Sequence, residues 1–292
     1  MTHLVTIGIP FFNNSQTILM AVRSVFAQSH EDWRLVLIDD GSTDDSVELL
    51  RQIDEPRVLV LSDGSNLGLA SRLNQLAMLT ESPILARMDA DDIMHPRRLE
   101  VEVAALAAEA RADLICSGAI SVDALDRPTG YRESLSAPTV SELFYRSPFI
   151  HPTVLGRTEW FKAHPYDASY RRCQDQELWV RTLDDRIVVA LEAPLLYLRE
   201  AGTVPAAKYA TSMAGTRRVL RDHGRARLGR VGAGRILAMT FAKQAVYTTA
   251  DFLHQSDHLV RSRSTPLSAR EQEVHLEVIG RVRSTRVPGI DA

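Results

Sequence analysis

A chain of 292 residues, 45% hydrophobic and 24% charged, can bury a substantial core as one large domain or as a domain with an appendage. Its two cysteines, Cys116 and Cys173, supply neither a disulfide framework nor a metal-ligand spacing, so a reducing cytoplasm is the expected setting. The net charge of -3 divides unevenly. Residues 205–292 hold 15 basic and 7 acidic side chains, about +8, which leaves about -11 on residues 1–204.

The N-terminus has no basic region running into an apolar stretch, so no signal peptide is expected. The longest apolar stretch, 236–253, is interrupted by Lys243, Gln244 and Asp251 and is too polar to span a membrane. In chain order, residues 4–10 read as a short strand ending at Pro10, and residues 11–15 as a loop with a helix cap. Ile18, Leu19, Val22, Val25 and Phe26 then mark one face of a helix. A second strand, 33–38, ends at Asp39-Asp40-Gly41-Ser42, and a helix capped by Asp44 or Asp45 runs to about residue 53. Strand 58–61, helix 69–80 and strand 84–88 follow. The last of these delivers Asp89, Asp91 and Asp92.

Strand and helix alternating at this spacing predict an α/β fold with a mainly parallel sheet. Ligands of such sheets bind beyond the carboxyl ends of the strands, and three of the first four strand ends here carry polar residues. Three carboxylates in four positions repel one another unless a cation sits among them. Oxygen ligands of this kind suit Mg2+ or Mn2+, which also bind substrate phosphates. Capping of the next helix is the bland alternative.

The remainder predicts a helix over 96–110 and a strand over 114–120, then an irregular or antiparallel excursion at 123–138. A strand at 151–155, a short helix near Trp160 and a helix over 171–181 with Asp175 and Glu177 in its first turn come next. Strand pieces at 187–191 and 195–199 close this part. Beyond residue 204 the texture becomes helical, over 205–224 and 233–255, with breaks expected at Gly224, Gly229, Gly232 and Gly234. Ser268 and Glu271 form a capping-box pattern for a final helix, and residues 281–292 are expected to fray. The domain reading is a body over 1–204 and a basic helical extension over 205–292.

Taken together, Ile7-Gly8-Ile9-Pro10-Phe11-Phe12-Asn13, Asp39-Asp40-Gly41-Ser42-Thr43-Asp44, Asn66-Leu67-Gly68 ending at Asn74, Met88-Asp89-Ala90-Asp91-Asp92 and Gln174-Asp175-Gln176-Glu177-Leu178-Trp179 resemble the ordered motifs of the family 2 glycosyltransferases. The resemblance covers about residues 3–204 and implies the GT-A fold, a Rossmann-like nucleotide-diphospho-sugar transferase architecture. It implies an inverting enzyme that moves a sugar from a nucleotide-diphosphate donor, a UDP-sugar by expectation, to a glycan or lipid-linked acceptor in surface polysaccharide synthesis. By the same resemblance Pro10, Phe12 and Asn13 line the nucleoside pocket, Asp40 accepts the base N–H, and Asp39 supports that turn. Asp91 is the direct ligand of Mn2+ or Mg2+, Asp89 reaches the ribose or the metal, and Asp175 is the general base. Glu177, Trp179 and His151 are candidate acceptor contacts.

The chain departs from the family pattern in three places. Ser71 and Leu73 stand where basic residues are usual, Gln174 precedes Asp175, and the late segment keeps Arg199 without its histidine. Arg72 and Arg199 are therefore the basic candidates for the diphosphate. Two alternatives are a non-catalytic nucleotide-binding subunit and a sugar-1-phosphate nucleotidyltransferase; the latter lacks its Gly-rich basic loop here. Nucleic acid is not an expected partner, because the cleft is acidic and the basic segment lacks interleaved aromatics. Arg217, Arg218, Arg221, Arg225, Arg227 and Arg230 suit contact with anionic lipid, which makes the expected location cytoplasmic and peripheral at the inner face of the membrane.

Overall fold

The computed structural model of the chain describes residues 4–200, 205–253, 259 and 263–291. In its first half β1 (Val5–Phe11), α1 (Ile18–Phe26), β2 (Trp33–Asp39), α2 (Ser46–Leu50), β3 (Val58–Leu61), α3 (Leu69–Leu79) and β4 (Ile84–Arg87) alternate as the spacing predicts. β1 lies between β2 and β4, β3 lies outside β2, and every one of these pairings is parallel. Such strands are covered on both faces and are therefore apolar on both. In β2, Leu35 and Leu37 join Val22 and Val25 of α1 on one face, while Val36 and Ile38 join Leu73 and Leu76 of α3 on the other. Gly8 permits the close approach of α3, since a Cβ there would meet Leu76 at 2.8 Å.

The second half comprises β5 (Ile93–Met94), α4 (Arg98–Ala108), β6 (Leu114–Val122), β7 (Pro128–Arg132), α5 (Val140–Tyr145), β8 (Leu155–Arg157), α6 (Thr158–Ala163), α7 (Gln174–Arg181) and β9 (Val188–Arg199). β8 runs antiparallel between β4 and β6, and β9 is parallel to β6 and antiparallel to β5. The expected strand at 151–155 is instead a 3-10 turn, His151–Thr153, followed by β8. Pro152 has no N–H to give to a ladder. The two pieces expected near 187–199 are one strand, β9, whose register with β6 shifts on either side of Gly118, the partner of Pro194.

α8 (Ala206–Val219), a π-helical turn (Leu220–Gly224) and α9 (Arg225–Phe252) follow. Of the four glycines expected to interrupt this stretch only Gly229 does, with φ 68; the others keep helical backbone. β10 (Thr265–Pro266) pairs with β7, and α10 (Ala269–Arg283), opened by the expected capping box, packs against α1. The boundary expected at residue 204, the end of the helix expected over 233–255, and Ala292 fall outside the described residues.

Fraying at 281–291 is not observed. Val282 and Val287 are buried, Asp291 takes two hydrogen bonds from Arg23 at 2.6 and 2.8 Å, and the Pro288 carbonyl accepts from the Asp54 amide. Burial of Val287 in the core beside α1 outweighs the weak local helical signal. Val287→Ala is expected to cost about 2 kcal/mol in urea unfolding. A frayed tail would leave the midpoint where it was.

Candidate active site

The first wall of the site is the pair of loops after β1 and β2. Phe12, at the tip of β1, is 47% exposed and projects beyond the sheet, while Pro10 lies buried within the strand. Asn13 adopts a left-handed backbone (φ 53), receives the Thr43 amide on its side chain and donates its own amide to Ser42 Oγ. Gly41 (φ 82) lets the Asp39–Ser42 turn lie against the backbone of Ser65 and Asn66, which a Cβ would meet at 3.0 Å. Asp39 is buried; that burial opposes its charge, but hydrogen bonds from the Ser42 amide (2.8 Å) and Ser62 Oγ (2.6 Å) win and hold its carboxyl below the ordinary range.

Asp40 accepts the amides of Leu67 and Gly68 at 2.8 and 3.0 Å and Arg72 Nε at 3.1 Å. Arg72 is 1% exposed and spends all five of its N–H donors inside the protein: one on Asp40, two on Asp63, one on Gln75 and one on the Ser65 carbonyl. It has nothing left for a diphosphate. The expected phosphate contact is corrected to a positioning role, holding the 62–68 loop over Asp40.

The second wall is the turn after β4. Asp89, Asp91 and Asp92 bring carboxylate oxygens within 4.8 Å of one another, the one such group of metal-ligating side chains among the described residues. Burial and then the Asp89 charge raise Asp91, and burial followed by both neighbours raises Asp92 well above the ordinary range. Asp92 Oδ1 accepts the Arg199 amide at 2.9 Å, while its Oδ2 is buried without a partner. Crowded, orphaned, oxygen-only donors fit a hard divalent cation. The Arg199 guanidinium donates to the Asp91 carbonyl at 2.9 Å and pairs with Asp126 at 2.5 Å, so it braces the carboxylate turn from behind.

Arg87, at the end of β4, is 3% exposed and pairs through Nη2 with Asp89; its Nε and Nη1 are buried without partners. Sequence reasoning missed it. An arginine at the close of an apolar strand is the signal that would have found it.

The third wall is α7, entered through Cys173 in a left-handed conformation (φ 61). Asp175 stands in its first turn. Burial pushes its carboxyl up; the Gln176 amide and the Arg87 guanidinium pull it down, and the Asp89 charge pushes it up again. The charges of Arg87 and Asp89 thus both act on Asp175. His151 is buried, bonds Tyr166 Oη at 2.8 Å, and is kept neutral by burial and by Arg87. The Asn74 side chain clamps the backbone of Tyr166 from both sides, at 2.8 Å each. Tyr166 and Asn74 thus tie α3 to the loop before α7, a role no local pattern announces.

Two expected acceptor contacts are corrected. Trp179 is 1% exposed and packs on Phe149, His151 and Trp160 with ring centroids 5.4, 6.0 and 6.5 Å away. Glu177 is buried between Arg181 (2.8 Å) and His223 (3.2 Å). Both serve the core, so neither offers a face to a sugar.

The sequence model of glycosyl transferase family 2 matches residues 6–172. The chain belongs to glycosyl transferase family 2. Among its relatives, EpsE of Bacillus subtilis, named as a glycosyltransferase, is 28% identical over 190 residues, 62% of this chain and 67% of that protein. WcaA of Escherichia coli, named as a colanic acid biosynthesis glycosyl transferase, is 29% identical over 188 residues, 61% of this chain and 65% of its own. The chain thus spans about two thirds of the length of these relatives. S. aureus TarS 1-349, solved in complex with UDP, superposes with a TM-score of 0.58 at 17% identity, covering 98% of this chain and 83% of that one. Its complex with UDP-GlcNAc superposes equally well, over 97% and 81%. The fold is the GT-A arrangement. The family 2 match ends just before α7, so the helix carrying Asp175 lies beyond it.

Arg72→Met is expected to destabilise the protein by about 3–5 kcal/mol in chemical denaturation, because it strands the Asp40 carboxylate. An Arg72 that served a diphosphate alone would leave stability unchanged and weaken nucleotide binding.

Proposed function

We propose that this family 2 protein is an inverting glycosyltransferase acting on a nucleoside-diphosphate sugar, with a UDP-sugar as donor and a hydroxyl of a glycan or lipid-linked acceptor as nucleophile, in surface polysaccharide synthesis. The observation that carries the reading is the cluster of Asp89, Asp91 and Asp92 carboxylates, within 4.8 Å of one another after β4, with Arg87 paired to Asp89 and Asp92 Oδ2 buried without a partner. The names of WcaA and of the TarS complexes with UDP and UDP-GlcNAc support the pathway and the donor class.

In this reading Phe12 stacks on the base, and Pro10 and Asn13 shape its loop. Asp39 and Asp40 hold the turn that meets the nucleoside. Asp91, with Asp89 beside it, would hold Mn2+ or Mg2+, and the bound ion neutralises charge developing on the departing diphosphate. Arg87 fixes the orientation of Asp89. Asp175 takes the proton of the acceptor hydroxyl as that oxygen bonds to the anomeric carbon and the bond from that carbon to the diphosphate oxygen breaks. One displacement with one base inverts the anomeric centre. His151 and Tyr166, joined to each other, brace the loop before α7, so His151 acts through Tyr166. The transferase site belongs to residues 1–204, with 205–292 as its helical extension.

Asp175→Asn should lower transfer at least about 100-fold while UDP affinity in calorimetry stays within error. Full activity in that variant would end the assignment of the base. Because the Asp175 carboxyl is raised, the ionised base is lost on acidification at a higher pH than an ordinary carboxylate would lose it. The transfer rate should therefore climb with pH through a value above 3.8 and level off towards neutrality. An acid limb below 3.8 would contradict the burial of this group.

A further inference from the structure

The outer face of α9 resembles neither a core nor an ordinary solvated surface. Val231, Arg235, Ala238, Ala242, Ala245, Thr249 and Phe252 recur at steps of four and three, so they share one side of the helix, and every one is exposed. Val231 is 88% exposed, Phe252 81% and Phe241 56%, with Val246 and Leu253 exposed beside them. Ile236, Thr240 and Tyr247 are buried on the opposite side. Residues 225–253 contain five basic side chains and a single acidic one, Asp251, which accepts the Ala206 amide. Where the π-helical turn meets α9, a cleft of about 290 Å3 is lined by Arg217, Arg221 and Arg225 over Leu220, Ala233 and Leu237. Arg217 also lies over the Phe241 ring, 4.6 Å from its centroid. Of the arginines that charge alone points to, Arg218 is engaged with Ser169 and Tyr170 and Arg227 with Asp184, while in the cleft Arg217 donates to Gln244 at 2.9 Å and Arg221, well exposed, pairs at the surface with Asp222 at 3.2 Å.

We propose that the outer face of α9 and the adjoining arginine cleft form the surface by which the protein docks on an anionic phospholipid membrane. Val231, Phe241 and Phe252 enter the boundary between headgroups and acyl chains, and Arg217, Arg221 and Arg225 take lipid phosphates. A second copy is a poor occupant, because a self-complementary interface here would set Arg225, Arg230 and Arg235 against their own kind with no carboxylate between them. A bilayer supplies the anionic oxygens and the apolar layer together. No helix among the described residues is long and apolar enough to cross it, so α9 lies along the surface. The surface does not depend on which nucleotide sugar the cleft takes.

The test is sedimentation of the full chain with phosphatidylcholine vesicles, with and without phosphatidylglycerol. The protein should pellet with the anionic vesicles alone. Val231→Asp with Phe252→Asp should weaken that binding at least about tenfold. Arg221→Gln and Arg225→Gln should each weaken it about fivefold, and all variants should keep the thermal midpoint of the parent. Failure of the parent to pellet, equal binding by the aspartate pair, or full displacement by inorganic phosphate would overturn the proposal. So would a dimer in sedimentation velocity that the aspartate pair dissolves, since the face would then belong to a second copy.

Discussion

A guanidinium held almost out of reach of water, at the carboxyl end of the fourth strand, is the feature around which the cleft is arranged. Two of the guanidinium nitrogens of Arg87, Nε and Nη1, are buried without a partner. An isolated buried cation of this kind is costly. It is tolerable here because Asp89 pairs with it directly and Asp91, Asp92 and Asp175 all feel its charge. Its own carbonyl is held at 3.1 Å by Arg98, which forms a fully buried ion pair with Glu102 at 3.0 Å. The strand tip is thus held by the buried Arg98–Glu102 pair and by the half-buried Arg87–Asp89 pair. Removal of either would let the carboxylate turn relax.

Backbone strain gathers at the same end of the sheet. The three non-glycine residues with left-handed backbone among those described are Asn13, Asp126 and Cys173. Asn13 shapes the loop beside Phe12, Asp126 anchors Arg199 against the carboxylate turn, and Cys173 opens the helix that carries Asp175. Such conformations cost of order 1–3 kcal/mol each and persist where the surroundings over-determine them. Their placement on three separate walls of one cleft indicates that the position of each wall is held against a local preference.

Much of this arrangement is legible in the amino-acid order. Four apolar strands with polar residues at their tips predict the parallel sheet, which is found, and point to the end of the sheet where a ligand is expected. Asp39, Asp89, Asp91, Asp92 and Asp175 are readable because a carboxylate after an apolar strand or in a helix first turn has few reasons to be there. Partnership is harder to read. Arg72 sits one position from the face where a phosphate contact is expected, yet its partner Asp63 arrives from a loop of no regular period. Trp179 and Glu177 occupy helix positions that are compatible with core or cleft, and only the packing of α6, α8 and the π-helical turn decides for the core. The C-terminal residues look free because nothing local orders them; Val287 and Asp291 are ordered by α1, more than 260 positions earlier in the chain.

In the proposed reading, carboxylates from separate strand tips and from α7 make one cation-assisted nucleotide-sugar site. Calorimetric titration of UDP into the protein, with and without Mn2+, compared with the same titration of Asp91→Asn, tests it most directly. Mn2+ should strengthen UDP binding at least about tenfold in the parent and leave it unchanged in the variant. UDP binding indifferent to Mn2+ in the parent, or equally strengthened in Asp91→Asn, would contradict it.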